Sequence, residues 1–156
     1  ESNLRYAKED ATEEELAKAA EIAQALEFIE EKPERYETAI TQGGTNVSGG
    51  QRQRLSIARA LVKKPEIYIF DDTFSALDFK TDAKLRKALN ILCQETKSTV
   101  LLVVQRISSI MHAERIVVLD KGEVVGIGNH EELMKSCEVY QEIAYSQLSK
   151  EELGNE

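Results

Sequence analysis

Two groups of residues in this sequence have types and spacings suited to binding a phosphorylated ligand. The first is the run Val47–Gln51, which reads Val-Ser-Gly-Gly-Gln and leads directly into a helical pattern. Glycines at a helix start let an anion approach the backbone, where free N–H groups and the helix dipole favour negative charge. Ser48 and Gln51 also fit a Ser-x-x-Gln capping box, which is a purely structural role. A cap does not require two glycines, each costing about 1 kcal/mol in a helix, so the run favours anion binding, with the simple cap as the alternative.

The second group follows the apolar run Ile67-Tyr68-Ile69-Phe70. Asp71 and Asp72 come directly after it, and Ser75-Ala76-Leu77-Asp78 follows. A run that is apolar at every position predicts a strand buried on both faces of a parallel sheet. A carboxylate at the carboxyl end of such a strand lies where these sheets bind ligands, and Asp71 there is suited to hold Mg²⁺ through water. A solvated acidic turn is the alternative interpretation.

The elements that position these groups follow an α/β order. A Thr12–Glu15 capping box starts a helix whose apolar residues recur at helical spacing to Ile29, and Pro33 ends it. The remaining predicted elements are a loop over 41–46, a helix from Ser48 to about Lys63, the strand over 67–70, a helix from about Asp78 to Glu95, a buried strand over 98–104, a short helix over 107–112, a hairpin of 116–119 with 124–127, and two helices from about His130.

The composition bounds the function. The chain has 156 residues, 42% hydrophobic content and a net charge of −8, which together predict one globular domain and, without a basic stripe, no nucleic-acid partner. Cys93 and Cys137 have no ligand-like neighbours, so free thiols are expected. No apolar stretch is long enough to cross a bilayer. The absence of a starting methionine suggests a piece of a longer protein.

The motifs resemble those of the ATP-binding cassette (ABC) family over essentially the whole chain. Residues 47–51 resemble its signature, 67–71 its Walker B strand and 75–78 its D-loop, while 115–123 and 128–133 resemble its closing hairpin and helix. The resemblance implies a P-loop NTPase-like α/β fold. Residues 1–64 would form the helical signature subdomain, and 65–156 the C-terminal part of the ATPase core.

The resemblance also implies site residues and cofactors. Signature residues would bind ATP held by a second nucleotide-binding domain, and Asp71 would bind Mg²⁺ through water. The loop over 41–46 would contact a transmembrane domain through Gln42 and Gly43, where exporters usually have a glutamate at position 42. The signature residues are Ser48, Gly49, Gly50 and Gln51, and those of the D-loop are Ser75, Ala76, Leu77 and Asp78.

Three departures from the family pattern alter this expectation. The sequence has no Gly-x-x-x-x-Gly-Lys-Ser/Thr loop, so these residues alone are expected to be inactive and to bind ATP poorly. Asp72 stands where the family has its catalytic glutamate, and Gln105 where it has its switch histidine. Of the two histidines present, His112 is predicted to be a surface residue and His130 to cap a helix.

An intact signature beside altered catalytic residues is the pattern expected of the degenerate half of a heterodimeric exporter. Such a protein would couple ATP binding and hydrolysis to transport at the cytoplasmic face of the inner membrane. The alternatives are an ABC ATPase outside transport and a non-catalytic regulatory fragment. Without further strands, residues 67–70 or 100–104 would form an exposed sheet edge, which predicts incomplete folding or self-association.

Overall fold

The computed structural model describes residues 1–148, which form two compact units, Glu1–Val103 and a second unit that begins at Val104. The boundary between these packed units lies after Val103, whereas the motifs predict a boundary after residue 64. The division at residue 64 stays a prediction. Residues 149–156, which belong to the second predicted part, lie outside the described residues.

Two successive helices replace the long first helix that the sequence predicts. After α1 (Ser2–Arg5), α2 (Glu13–Ile22) begins at the predicted Thr12–Glu15 capping box, but it ends before α3 (Leu26–Glu30). The prediction of one continuous helix is wrong because Gln24 has a φ of 56°, a left-handed conformation that cannot continue a helix. Arg54 stabilises the break, since its Nη1 donates to the Gln24 carbonyl at 2.8 Å and its guanidinium lies 4.8 Å from the Phe28 ring centre.

The core of the first unit lies between helices and one face of a small sheet. Helix α4 (Gly49–Val62) has Ser48 as N-cap, and α5 (Phe79–Thr96) has Asp78, close to the predicted starts. Helix α4 packs against the small residues of α2, and both contribute to one cluster with the sheet and α5. That shared core explains why the compact unit continues past residue 64. Its central members include Leu16, Ala20, Ile57, Ala58, Leu61, Tyr68, Phe70 and Leu85.

The predicted parallel pair is present, but it is covered on one face only. Strand β1 (Ile67–Asp71) pairs in parallel with β2 (Thr99–Val103), with Asp71 opposite Val103. Tyr68 and Phe70 are 3% exposed, whereas Ile69 is 67% exposed, so the prediction of burial on both faces is wrong. The reason is that the described residues of this unit place helices against one side of the sheet. Each strand has one neighbour in the described part of the chain, so the predicted exposed edge is present.

The second unit contains the predicted hairpin and two helices. Strand β3 (Ile116–Asp120) pairs antiparallel with β4 (Glu123–Gly128), and α6 (His130–Ser136) and α7 (Glu138–Gln147) follow. The predicted helix over 107–112 is reduced to one 3₁₀ turn, Ile107–Ser109. Cys137 is buried and Cys93 half-buried, and both are free thiols as predicted. No helix within residues 1–148 combines the length and apolar character that crossing a membrane requires.

Candidate functional site

The start of α4 combines a cap with unused hydrogen-bond donors. Ser48 Oγ accepts the N–H of Gln51 at 3.1 Å, and Gln51 Oε1 accepts the N–H of Ser48 at 3.0 Å. The first backbone bond of the helix runs from the N–H of Arg52 to the Ser48 carbonyl at 2.9 Å. The N–H groups of Gly49 and Gly50 therefore have no acceptor inside the helix, and the Ser48 hydroxyl keeps its own proton to donate. The two alternatives for this run, capping and anion binding, are compatible.

The two glycines differ in what surrounds them. A Cβ on Gly50 would lie 3.0 Å from the Ala76 carbonyl oxygen, so this glycine permits close packing of α4 on the loop 75–78. A Cβ on Gly49 would have Ala76 Cβ at 3.9 Å as its neighbour, an ordinary contact. Packing among residues 1–148 therefore accounts for Gly50 and not for Gly49. What Gly49 does provide is open access to the backbone at an exposed helix start.

A side chain that the sequence analysis missed joins α4 to the predicted D-loop. Gln53 Oε1 accepts the N–H of Ala76 at 3.0 Å, and Gln53 Nε2 donates to Ser75 Oγ at 3.2 Å. Gln53 lies three residues after Gly50 and so shares its face of the helix. The three-residue spacing of Gly50 and Gln53 is the feature of the sequence from which this contact could have been predicted. Leu77 is buried beside them at 7% exposure.

Asp78 closes the predicted D-loop by capping α5. Its Oδ1 accepts the N–H of Thr81 at 2.9 Å and its Oδ2 accepts the Thr81 hydroxyl at 2.7 Å. The Thr81 N–H, followed by the Thr81 hydroxyl, lowers the pKa of Asp78 below its ordinary value. Asp78 therefore stays ionised and fixes the direction in which the loop enters the helix.

Asp71 and Asp72 lie at the carboxyl end of β1 with exposed side chains. Asp72 has a φ of 47°, and its N–H donates to the Val103 carbonyl at 2.9 Å. Its carbonyl accepts the Ser75 hydroxyl at 2.9 Å, which ties the turn to the D-loop. The described residues contain no group of three metal-ligating side chains. One free carboxylate nevertheless fits Mg²⁺, which commonly takes one or two protein oxygens and completes its shell with water and phosphate.

Gln105 belongs to the second unit, where α7 holds its backbone. Gln147 Nε2 donates to the Gln105 carbonyl at 2.8 Å, and Gln147 Oε1 accepts the N–H of Ile107 at 2.9 Å. The Gln105 side chain is exposed. Gln147 was missed because it lies in a helix without a recognisable motif, and its role depends on a contact across 42 residues.

The loop predicted to contact a transmembrane domain borders an open groove. Gln42 and Gly43 are exposed in a 3₁₀ turn, Gln42–Gly44, and Arg52 Nη1 donates to the Gly43 carbonyl at 3.1 Å. The groove has a volume of about 420 Å³, and residues of α4 including Ser56 and Arg59 form its other side. The loop is thus an accessible surface held by α4.

The two histidines make none of the contacts described above for the predicted site residues. His112 is exposed, as predicted. The prediction that His130 caps a helix is wrong, because Asn129 caps α6 by accepting the N–H of Glu132 at 2.9 Å. His130 is the first helical residue, and its Nδ1 lies 2.8 Å from the buried Tyr140 hydroxyl.

A mixed α/β fold in which a glycine-bearing helix start packs on the loop after an acidic strand end is that of the ABC ATPases. Comparison with known proteins gives the same class. The ABC transporter family matches residues 1–75. An uncharacterised ABC transporter ATP-binding protein of Mycobacterium tuberculosis is 43% identical over 97% of the chain. The ATP-dependent lipid A-core flippase of Desulfotalea psychrophila is 47% identical over 90% of it.

A solved structure of a bacterial Atm1-family ABC exporter with ATP bound superposes with a TM-score of 0.90 at 32% identity, over 96% of this chain. The chain belongs to the ABC transporter ATP-binding family and is homologous to the ATP-binding domains of exporters. It spans about a quarter of these relatives: 26% and 24% of the two proteins, and 26% of the exporter chain.

Proposed function

We propose that these residues serve in the nucleotide-binding domain of an ABC exporter and that their signature completes the ATP site of a second, different domain. The observation that carries this proposal is Gly49, whose missing side chain is not required by packing against any of the described residues. Together with the Ser48 hydroxyl and the free N–H groups, it forms an exposed anion site that faces outward. An outward-facing site suits a phosphate bound by another domain.

The ATP site formed by this domain's own catalytic residues would hydrolyse ATP slowly. Asp72 is one methylene shorter than the glutamate that resemblance places there, and a displacement of about 1 Å can cost about a hundredfold in rate. Gln105 can donate a hydrogen bond to a phosphate but cannot carry a proton as histidine does. Asp71 would hold Mg²⁺, which when bound neutralises phosphate charge. The groove beside Gln42 and Gly43 would receive a transmembrane domain at the cytoplasmic face of the membrane.

The test is to compare two substitutions in a complete transporter that contains these residues. Ser48→Ala removes a hydrogen bond to a charged group, so the ATPase rate should fall about tenfold or more. Asp72→Asn should leave most of the rate, because the faster site does not use Asp72. Ser146→Ala is the matched control, since that hydroxyl donates to the Ile143 carbonyl of its own helix at 2.7 Å. A larger loss from Asp72→Asn than from Ser48→Ala would contradict the assignment.

A further inference from the structure

Gln53 connects the signature helix to the D-loop through both ends of its side-chain amide. The Ala76 N–H can only donate a hydrogen bond, so the oxygen of the Gln53 amide must face it, at 3.0 Å. This orientation directs Nε2 at Ser75 Oγ, 3.2 Å away. Two bonds from one planar group fix both the distance and the orientation of the loop relative to α4.

The connection continues from the D-loop to Asp72. Ser75 Oγ donates to the Asp72 carbonyl at 2.9 Å, and the Ser75 N–H approaches the same oxygen at 3.4 Å. Asp72 has a positive φ of 47°, a left-handed conformation that aspartate adopts more readily than most residues, and the two bonds to its carbonyl hold the turn. An unbroken hydrogen-bonded path therefore runs from Gln53 through Ser75 to the backbone beside the Asp72 carboxylate.

Gly50 and Gln53 act on the same contact in complementary ways. The absent side chain of Gly50 allows the Ala76 carbonyl to approach within van der Waals distance of α4. Gln53, one turn further along the same face, then holds Ala76 and Ser75 in that position. A shift of the first turn of α4 must move the D-loop with it unless the Gln53 bonds break.

We propose that Gln53 is a positioning residue that links the signature to Asp72, so that nucleotide contacting Ser48 changes the geometry of the domain's own catalytic turn. This inference rests on the proposed function, because it requires a phosphate at the signature. The link is reciprocal: whatever orders the turn at Asp72 also orders the start of α4.

Hydrogen exchange on the complete transporter tests the link, with a non-hydrolysable ATP analogue as the probe. In the unsubstituted protein the analogue should slow amide exchange across residues 73–78. In Gln53→Ala the analogue should remain bound while the added protection of the Ala76 amide falls about fivefold, the effect of losing that amide's one hydrogen bond. Gln53→Glu keeps the acceptor for Ala76 and loses the donor to Ser75, so it should restore protection at Ala76. Gln94→Ala, an exposed glutamine far along α5, is the control.

Each outcome has a distinct meaning. Unchanged protection of residues 73–78 in Gln53→Ala would overturn the link. If Gln53→Ala lowers the melting temperature well below that of Gln94→Ala, Ser75→Ala decides instead, since it cuts the path between Gln53 and Asp72 without altering α4. It should lower the added protection of residues 73–75 and spare that of Ala76, whose bond to Gln53 it leaves intact. Failure of the proposed function is seen separately, as full ATPase activity in Ser48→Ala, whatever Gln53 does.

Discussion

At position 72 the difference between aspartate and glutamate is a single methylene, and the turn around it leaves room for the longer side chain. The Asp72 carboxylate is exposed, and its backbone is held by the Val103 carbonyl and the Ser75 hydroxyl rather than by its own side chain. The side chain can therefore be lengthened without breaking any of these bonds. Position 72 thus offers a direct way to alter the domain's own site.

Asp72→Glu should raise the turnover of the slow site. In a complete transporter carrying Ser48→Ala, the residual ATPase activity should come mainly from the site that contains Asp72. Adding Asp72→Glu to that background should raise the residual rate by about tenfold to a hundredfold, because the base would move about 1 Å closer to the water. Asp72→Asn in the same background is the control and should lower the residual ATPase rate. A residual rate that does not respond to Asp72→Glu would show that this position does not limit turnover.

Glu15 makes the fold sensitive to acid. Its carboxylate contacts Lys64 Nζ at 2.6 Å and Lys8 Nζ at 2.7 Å and also accepts the Thr12 N–H. Lys64, then Lys8 and the Thr12 N–H, lower the pKa of Glu15 from 4.5 to about 2. Because the pKa is lower in the folded state, the ionised group stabilises the fold above pH 4.5, and this contribution is lost as the pH falls towards 2.

Glu15→Gln should therefore lower the melting temperature at neutral pH and flatten its fall on acidification. Thermal melts from neutral pH to pH 2 check this, with Glu13→Gln, an exposed residue in the first turn of the same helix, as the matched change of charge. Equal acid sensitivity of Glu15→Gln and the unsubstituted protein would show that these contacts do not persist in solution.

At the level of the elements, the two glycines at the start of α4 should differ in their effects on stability and on function. Gly49→Ala adds a methyl group at ordinary contact distance, so it should leave the melting temperature unchanged or raise it slightly. It should nevertheless lower the ATPase rate of the complete transporter, because the methyl group blocks close approach to the backbone. Gly50→Ala forces Ala76 to shift and should lower the melting temperature, since added volume in a packed contact costs about 1–3 kcal/mol against a helix-propensity gain of at most about 1 kcal/mol. Full ATPase activity in Gly49→Ala would remove the main support for the anion site.

The elements that the sequence predicted well are those specified by adjacent residues. Thr12 with Glu15, Ser48 with Gln51 and the apolar runs act locally, so the starts of α2 and α4 and the two strands follow from spacing alone. The break at Gln24 is not local, because it is stabilised by Arg54, thirty residues away. Whether Ile69 is buried depends on which elements pack against its face of the sheet, and the residues of the strand alone do not determine that. For the same reason, the bonds of Gln53 to the D-loop and of Gln147 to Gln105 needed the structure.

At the scale of the whole molecule, apolar sheet surface remains uncovered in both units. In the first unit Ile69 and Leu101 are 67% and 51% exposed, and in the second Leu119 and Val124 are 65% and 56% exposed. Contiguous apolar surface on a short two-stranded sheet favours association. The 156 residues expressed alone should therefore self-associate or melt without a sharp transition.

Light scattering coupled to size-exclusion chromatography checks this prediction. Replacing Ile69 and Leu101 together by threonine, a β-branched residue that suits strands but removes apolar surface, should shift the chain towards monomer. The paired control is Ile91→Thr, on an exposed position of α5 outside the sheet. A monomer with a sharp, cooperative melt in the unsubstituted chain would contradict the prediction.

The central claim is that this signature serves the site of another domain. It is tested most directly by vanadate trapping of photoreactive ADP in a complete transporter with two distinct nucleotide-binding domains. In the unsubstituted transporter, trapped nucleotide should label mainly the partner domain, and Ser48→Ala in this chain should lower that label about tenfold or more although the partner's own sequence is unchanged. A partner label that Ser48→Ala leaves unchanged, with most of the label of the unsubstituted transporter on the domain that contains Asp72, would contradict the account.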